Sequence, residues 1–456
     1  MPKQEQRHAD HSPNDAVAIT RRSVVMGGGA FCLGLNAGSV AAEPSSGNWL
    51  ETLFGSGLAS PREQPSAPPK PREALNDLRP DPIPWRSDEM LAKMEAAIER
   101  YQRVVSNGGW PQIPAGPMLR LDDDGERVVH LKRRLAASGD LQGYPGYLNS
   151  RAFDDRLETA VRDFQDRSGL RVTGRVDRPT LAQLNGSAAA RLEQLKLNHR
   201  RISELMQARV EDRYILVNAA AYQLEAVEGY EVRRRHRVIV GKPDRQTPAI
   251  KATIRGFNFF PYWRVPDSVA TLDLIPRLQR EPDYLQKEQI RAFNGFGGPE
   301  VDTHSINWSA VDPAKIKFRQ DPGPQNALGL VRIDMPNEYI VYMHDTPLKP
   351  LFNQRARAFS AGCVRVQEVF ELVEWIARYE PGWERPGRVQ EVIEAGRPVD
   401  VKLTRPVPVY FTYITAWAEG DGVAVFRPDI YGRDGSRELV GERDPDAPPP
   451  PQSLAP

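Results

Sequence analysis

The hydrophobic period changes near residue 212, and that change limits the folds open to this chain. Before it, apolar residues recur every three or four positions; after it, they run in short β-branched and aromatic stretches bounded by glycine and proline. Met90, Met94, Ala97, Ile98 and Tyr101 share one face of a predicted helix over 90–105, stopped by Asn107-Gly108-Gly109. A second helix, over 188–208, buries Leu192, Leu195, Ile202 and Leu205. Between them, from 126 to 185, lie three short helices with Gly139, Gly169 and Gly174 in the turns. Their apolar faces carry Val128, Leu131 and Leu135, then Leu157, Ala160, Val161 and Phe164, then Leu181 and Leu184. A unit that small buries little surface by itself.

Beyond Asp212 the pattern predicts strands at 214–218, 222–227 and 236–240, then at 328–333 and 339–343, then at 401–403 and 408–415. A helix is expected over 364–379, with Val369, Leu372, Val373 and Ile376 facing inward. An insertion at 258–325 carries Phe259, Phe260, Tyr262, Trp263 and Trp308, and a helix near 273–278. It is too aromatic for a linker and too long for an ordinary loop. We expect it to cap a cleft, with Gly295, Gly297 and Gly298 as a place for movement.

The ends read differently. Residues 1–19 are polar; Arg21-Arg22 and a weakly apolar, glycine-containing stretch to Ala42 follow, in the layout of a twin-arginine-like export signal. Eight prolines between Pro61 and Pro84 predict an extended linker over 43–84, and 436–456 is expected to be a disordered tail. No later segment reaches ~18 apolar residues, so no stable transmembrane segment is expected after processing. The 61 basic and 60 acidic residues leave a net charge of +1, which gives no footprint for nucleic acid or for an anionic membrane surface.

Cysteine use narrows the chemistry. Cys32 lies inside the expected signal, so the processed chain would keep one thiol, Cys363. It sits in Phe359-Ser360-Ala361-Gly362-Cys363-Val364-Arg365, nineteen positions after His344. A free thiol titrates near ~8.5 and needs a base or a positive field to attack at neutral pH. His344 is the candidate base, and the helix expected from 364 would aim N–H groups at the sulfur and at an oxyanion. Arg365 suits a carboxylate, either a substrate's or a structural one. Spacing alone also fits a satisfied strand-end histidine and a buried, inert cysteine.

Ser360-Ala361-Gly362-Cys363-Val364-Arg365, with His344-Asp345-Thr346-Pro347, resembles the active-site signature of the bacterial L,D-transpeptidases. Gly241-Lys242, Gln246-Thr247-Pro248, Pro261-Tyr262-Trp263-Arg264-Val265-Pro266 and 413–432 resemble the large multidomain branch of that family. Ala160 to Gln165 and Gly174-Arg175-Val176-Asp177 resemble its small peptidoglycan-binding domain. The resemblance implies a multidomain protein with a β-rich, YkuD-type catalytic domain at 212–435 and a capping insertion at 258–325. A helical scaffold at 85–125 and 186–211 would carry a three-helix peptidoglycan-binding domain at 126–185. It implies a periplasmic enzyme with peptidoglycan tetrapeptide stems as donor and acceptor and carbapenems as inhibitors. D-alanine would leave, an acyl-enzyme would form, and a neighbouring stem's amine would give a 3→3 cross-link. Cys363 would be the nucleophile and His344 the base, with the N–H groups of Gly362 and Cys363 as oxyanion donors. Ser360, Arg365, Tyr342 and Trp263 would bind substrate. No metal and no cofactor are expected. Ala361 departs from the family pattern, where histidine is frequent.

Overall fold

The computed structural model describes residues 77–435, apart from 209, 296 and 421. The expected signal, the linker up to residue 76 and the tail lie outside the described residues. None of the described helices is long and apolar enough to cross a membrane.

Helices α1 (Asp88–Ser106) and α5 (Ala188–Met206) pack side by side, as their period predicts. Each starts on a serine whose side chain accepts a backbone N–H, Ser87 from Met90 and Ser187 from Ala190. Met90, Met94 and Ala97 of α1 meet Leu192, Leu195 and Ile202 of α5 in one core. Full burial of such a side chain is worth about 1.5–3 kcal/mol. Between these helices stand α2 (Glu126–Ser138), α3 (Asp155–Arg167) and α4 (Arg178–Asn185), closed around Leu131, Leu135, Leu157, Val161 and Leu184. Asp154 caps α3 and Asp177 caps α4.

The remainder is β-rich. In chain order the strands are β1 (Arg213–Asn218), β2 (Gln223–Glu228), β3 (Glu231–Gly241) and β4 (Ile250–Phe259). Next come β5 (Trp263–Arg264), β6 (Ile290–Asn294) and β7 (Ile316–Gln320), then β8 (Val331–Asp334), β9 (Met343–His344), β10 (Ala358–Ser360) and β11 (Val364–Val366). Helices α6 (Val369–Ala377) and α7 (Arg388–Ala395) lead to β12 (Val399–Thr412) and the hairpin β13 (Ala416–Glu419) and β14 (Val423–Phe426). The main sheet runs β10-β3-β11-β9-β8-β4-β12-β1-β2, and β2 pairs again with β3, so the ladder closes on itself. Strand β1 shows the two-sided burial: Ile215 and Val217 join the core under α6 and α7, while Tyr214 and Leu216 join the core under α1 and α5.

Several expectations need correction. The helix expected over 364–379 starts only at Val369. Val364-Arg365-Val366 pairs with β3 and β9 instead, and the chain turns through Glu368 at φ +50°. Cys363 therefore does not stand at a helix N-terminus. The strand expected at 339–343 is a loop as far as Tyr342. Asn337 Oδ1 accepts from Tyr339 N at 3.1 Å, which holds Tyr339 and Ile340 at an exposed tip. The two last core strands are one, β12, whose ladder against β4 slips between Lys402 and Val407, where Pro406 has no N–H to give. Strand β4 was not anticipated. Its alternation reaches Phe259, so the insertion begins after it.

Residues 77–84 are not linker. Arg79 is buried and paired with Glu225 at 2.9 Å, and Val232 N donates to Pro82 O at 3.0 Å. The insertion has its own sheet, β5-β7-β6, and helical turns at Asp267–Val269, Ala270–Leu274 and Ile275–Leu278 around Leu274, Leu278, Tyr284 and Phe318. Gly295 N donates to Lys315 O and Gly298 N to Gly295 O, so they close a turn inside the cap's own sheet.

Candidate active site

Two short strands assemble the site. Strands β9 and β11 run parallel, with Val364 beside Met343 and Arg365 beside His344. Side chains alternate along a strand, so Tyr342 and His344 lie on one face together with Cys363 and Arg365. Met343, Val364 and Val366 fill the core on the other. The rings of Tyr342 and His344 meet edge to face, with centroids 5.7 Å apart. The register thus sets His344 beside Arg365 and brings the two candidates to adjacent strands, although nineteen residues separate them.

The loop at Cys363 is held by its backbone. Gly362 adopts φ +124°, a conformation that glycine alone takes readily. Its N–H donates to Ser360 Oγ at 3.2 Å, and Ser360 Oγ donates to the carbonyl of Cys363 at 2.5 Å. The Gly362 carbonyl accepts from Thr247 Oγ1 at 2.8 Å, and that hydroxyl accepts from Gly241 N at 2.9 Å. Thr247 is buried, and it supports this loop although its motif gave it no role. Of the two expected oxyanion donors, the Gly362 N–H is thus engaged with Ser360 Oγ in the resting site. The N–H of Cys363 makes no hydrogen bond among the described residues.

Electrostatics set the resting state. His344 is fully buried, and its Nδ1 sits against the carbonyl oxygen of Asp345. A carbonyl only accepts, so Nδ1 carries the proton and Nε2 keeps its lone pair. Nε2 has no hydrogen-bond partner. Burial, with Arg365 adding to it, pushes the imidazole down to about 3. Burial pushes the Cys363 thiol up to about 11, against the opposing pull of Tyr342 and Arg365. Neutral thiol and neutral imidazole is therefore the resting pair.

Arg365 is buried, with Nε and Nη1 unpartnered, and burial pushes it down to about 10. The influence opposing that burial is Cys363. A buried guanidinium without a carboxylate is costly, so the site offers an anion a place. Tyr342 packs against both the catalytic core and the cap core, and burial lifts its phenol well above the usual range. Ala361 packs, half-buried, on the cap core. Ser360 and Trp263 are buried, the first in the Cys363 loop and the second inside the cap. Trp263 reaches the site through the Tyr342 side chain. Arg245 of the loop after β3 pairs both guanidinium nitrogens with Asp273 of the cap, one of them at 2.9 Å, which ties cap to core.

Neutral buried histidines have a consequence for acid stability. His236 is also buried, and burial pushes it down to about 4. Both imidazoles are depressed below 6.5, so their stabilisation is complete above that pH and is lost as pH falls toward 3–4. The two should cost about 4 kcal/mol between pH 8 and 5. Thermal melts should show a falling midpoint over that range, and His236→Gln should remove part of the slope. A midpoint that stays level would contradict burial of the neutral forms.

Residues 212–401 match the model of the L,D-transpeptidase catalytic domain, and 124–184 match that described as "Putative peptidoglycan binding domain". The chain is similar to a "Putative L,D-transpeptidase" of Haemophilus influenzae, 33% identical over 221 residues, which are 48% of this chain and 44% of that protein. The chain thus aligns with less than half the length of that curated relative. Two solved structures are similar in part. The L,D-transpeptidase of Xylanimonas cellulosilytica matches 66% of this chain and 99% of its own, at 14% identity and a TM-score of 0.21. That of Stackebrandtia nassauensis matches 66% and 96%, at 12% identity and a TM-score of 0.24. Scores this low carry no weight for the fold.

Proposed function

We infer, for a chain that carries an L,D-transpeptidase catalytic domain and a peptidoglycan-binding domain, that it forms 3→3 cross-links in peptidoglycan through an acyl-enzyme on Cys363. L,D-transpeptidases act on peptidoglycan outside the cytoplasm, and export by the twin-arginine-like signal is the route we propose. The sulfur attacks the carbonyl between the third and fourth residues of a tetrapeptide stem, while His344 Nε2 takes the thiol proton. The C–N bond breaks, the proton passes to the leaving amine, and D-alanine departs. The amine on the third residue of a second stem then attacks the thioester and frees the cysteine. The N–H of Cys363 faces the developing oxyanion. In this reading Arg365 and Tyr342 meet the stem, Arg365 through a carboxylate. The cap, joined to the core beside Tyr342, limits water at the thioester.

The observation that carries this reading is the register of β9 against β11, which sets an unprotonated Nε2 and the single described thiol on one face. Incubation with a carbapenem followed by intact-mass measurement should give one adduct, on Cys363. Purified tetrapeptide monomers should give a cross-linked dimer and free D-alanine. Trimmed tripeptide without dimer would overturn transpeptidation in favour of hydrolysis, and a lipoprotein or other protein amine as acceptor would show as a protein-linked stem.

The helical module gives a separate expectation. Deleting 124–184 leaves α1 and α5 to pack on each other. Binding to isolated sacculi should fall by at least about tenfold, while acylation by a small β-lactam changes by less than about threefold. Equal sacculus binding with and without the module would contradict a wall-binding role.

A further inference from the structure

The stretch between His344 and Cys363 is anchored at one buried point from outside the catalytic domain. Arg357 lies three residues before Ser360 and is fully buried. Its guanidinium donates to the carbonyls of Val238 at 3.2 Å, Tyr222 at 3.0 Å and Gln354 at 2.7 Å. None of these neutralises it. The carboxylate it meets is that of Asp77, 2.6 Å from Nη1, whose other oxygen takes Arg237 Nε at 2.6 Å. Asp77 belongs to the strap 77–86, laid along β2 and β3. Gln223 Nε2 donates to Asp77 O at 2.6 Å, and Glu225 takes both Arg79 at 2.9 Å and Trp85 N at 3.0 Å.

The consequences run directly to the nucleophile. The Arg357 carbonyl accepts from Val240 N at 2.9 Å, and β10 follows at once, with Ser360 beside Gly241. Ser360 in turn holds the carbonyl of Cys363. A shift of Arg357 therefore moves β10 and the loop that carries the sulfur. Two residues earlier, Arg355 makes a different kind of contact. It pairs with Asp166 of the helical module at 2.5 Å, but the Asp166 side chain is 53% exposed. An exposed pair of that sort contributes little, whereas a buried guanidinium that loses its carboxylate is left uncompensated.

We propose that Asp77 is a positioning residue for Cys363: from a strap outside the catalytic domain it neutralises Arg357 and so fixes β10 and the cysteine loop. The proposal rests on Cys363 being the nucleophile. It also means that the segment joining the linker to the enzyme is part of the catalytic support.

The test uses full-length protein and acylation by a carbapenem, followed by intact mass. Asp77→Asn should lower the acylation rate constant about 10–100-fold and leave the half-saturating β-lactam concentration unchanged. Asp77→Glu should restore most of the rate, and Asp166→Ala should stay within about twofold of the parent. A parental rate constant for folded Asp77→Asn, even with a lower melting midpoint, would overturn the proposal and leave Asp77 purely structural. If Asp77→Asn is unfolded at the assay temperature, the double variant Asp77→Leu, Arg357→Met removes both buried charges. A slowed rate there supports positioning, and a parental rate overturns it. A parent that forms no adduct would instead sink the reading of Cys363 as nucleophile. Iodoacetamide labelling of Cys363 then decides: several-fold faster labelling in Asp77→Asn supports a displaced loop, and equal labelling overturns it.

Discussion

Cys363→Ala should end both D-alanine release and carbapenem adduct formation, with a loss well beyond ~10³-fold. The fold should survive. The thiol fills one small, buried place beside Tyr342, and removing a single buried sulfur costs on the order of 1 kcal/mol. Binding to sacculi should remain at the parental level, because the helical module has its own core around Leu131, Leu157 and Val161. The measurements are D-alanine release, intact mass after carbapenem, sacculus pull-down and a thermal melt on one preparation. A loss of only ~1–3 kcal/mol of transition-state stabilisation would be too small for an essential nucleophile. That result would return Cys363 to the role of a buried apolar side chain, one of the two readings its spacing allows.

The helical half was legible because its period is regular and its ends are marked. Ser87, Asp154, Asp177 and Ser187 cap the helices where the pattern starts. The β half was less legible, because its strands are specified by partners far along the chain. Val364-Arg365-Val366 leads straight into the periodic apolar positions Val369, Leu372, Val373 and Ile376, and helical period alone absorbs it. Only the neighbours β3 and β9 make it a strand. Strand β12 was divided by its own prolines, which a bulge accommodates. At the site, Cys363 and His344 were readable as a motif. The roles of Ser360, Gly362 and Thr247 were not, since they depend on which backbone groups face which side chains. The strap at 77–84 was hidden by composition: its prolines read as linker, while Asp77 and Arg79 find buried partners 146 to 280 residues away.

Removing the base should change the shape of the pH profile as well as its height. With the thiol near 11 and the imidazole near 3, the parent is already in its reactive protonation state through the neutral range. Nε2 takes the proton as sulfur attacks, so parental acylation should be level between about pH 6 and 9. In His344→Asn no group accepts that proton, and only the thiolate fraction reacts. For a thiol at about 11 that fraction is roughly one in ten thousand at pH 7. Acylation should therefore fall about 10³–10⁴-fold at pH 7. The residual rate should climb about tenfold per pH unit toward 11, the sign expected of a thiol that must lose its proton first. Stopped-flow acylation across this range, with thiolate absorbance near 240 nm followed on the same samples, separates the cases. A resting thiolate–imidazolium pair would show that absorbance at pH 7 in the parent and lose it in His344→Asn. A variant whose residual rate does not rise between pH 7 and 9 would mean that sulfur is not the attacking atom, because that window lies below the Arg365 guanidinium at about 10 and the ionised fraction of the thiol grows tenfold per unit across it.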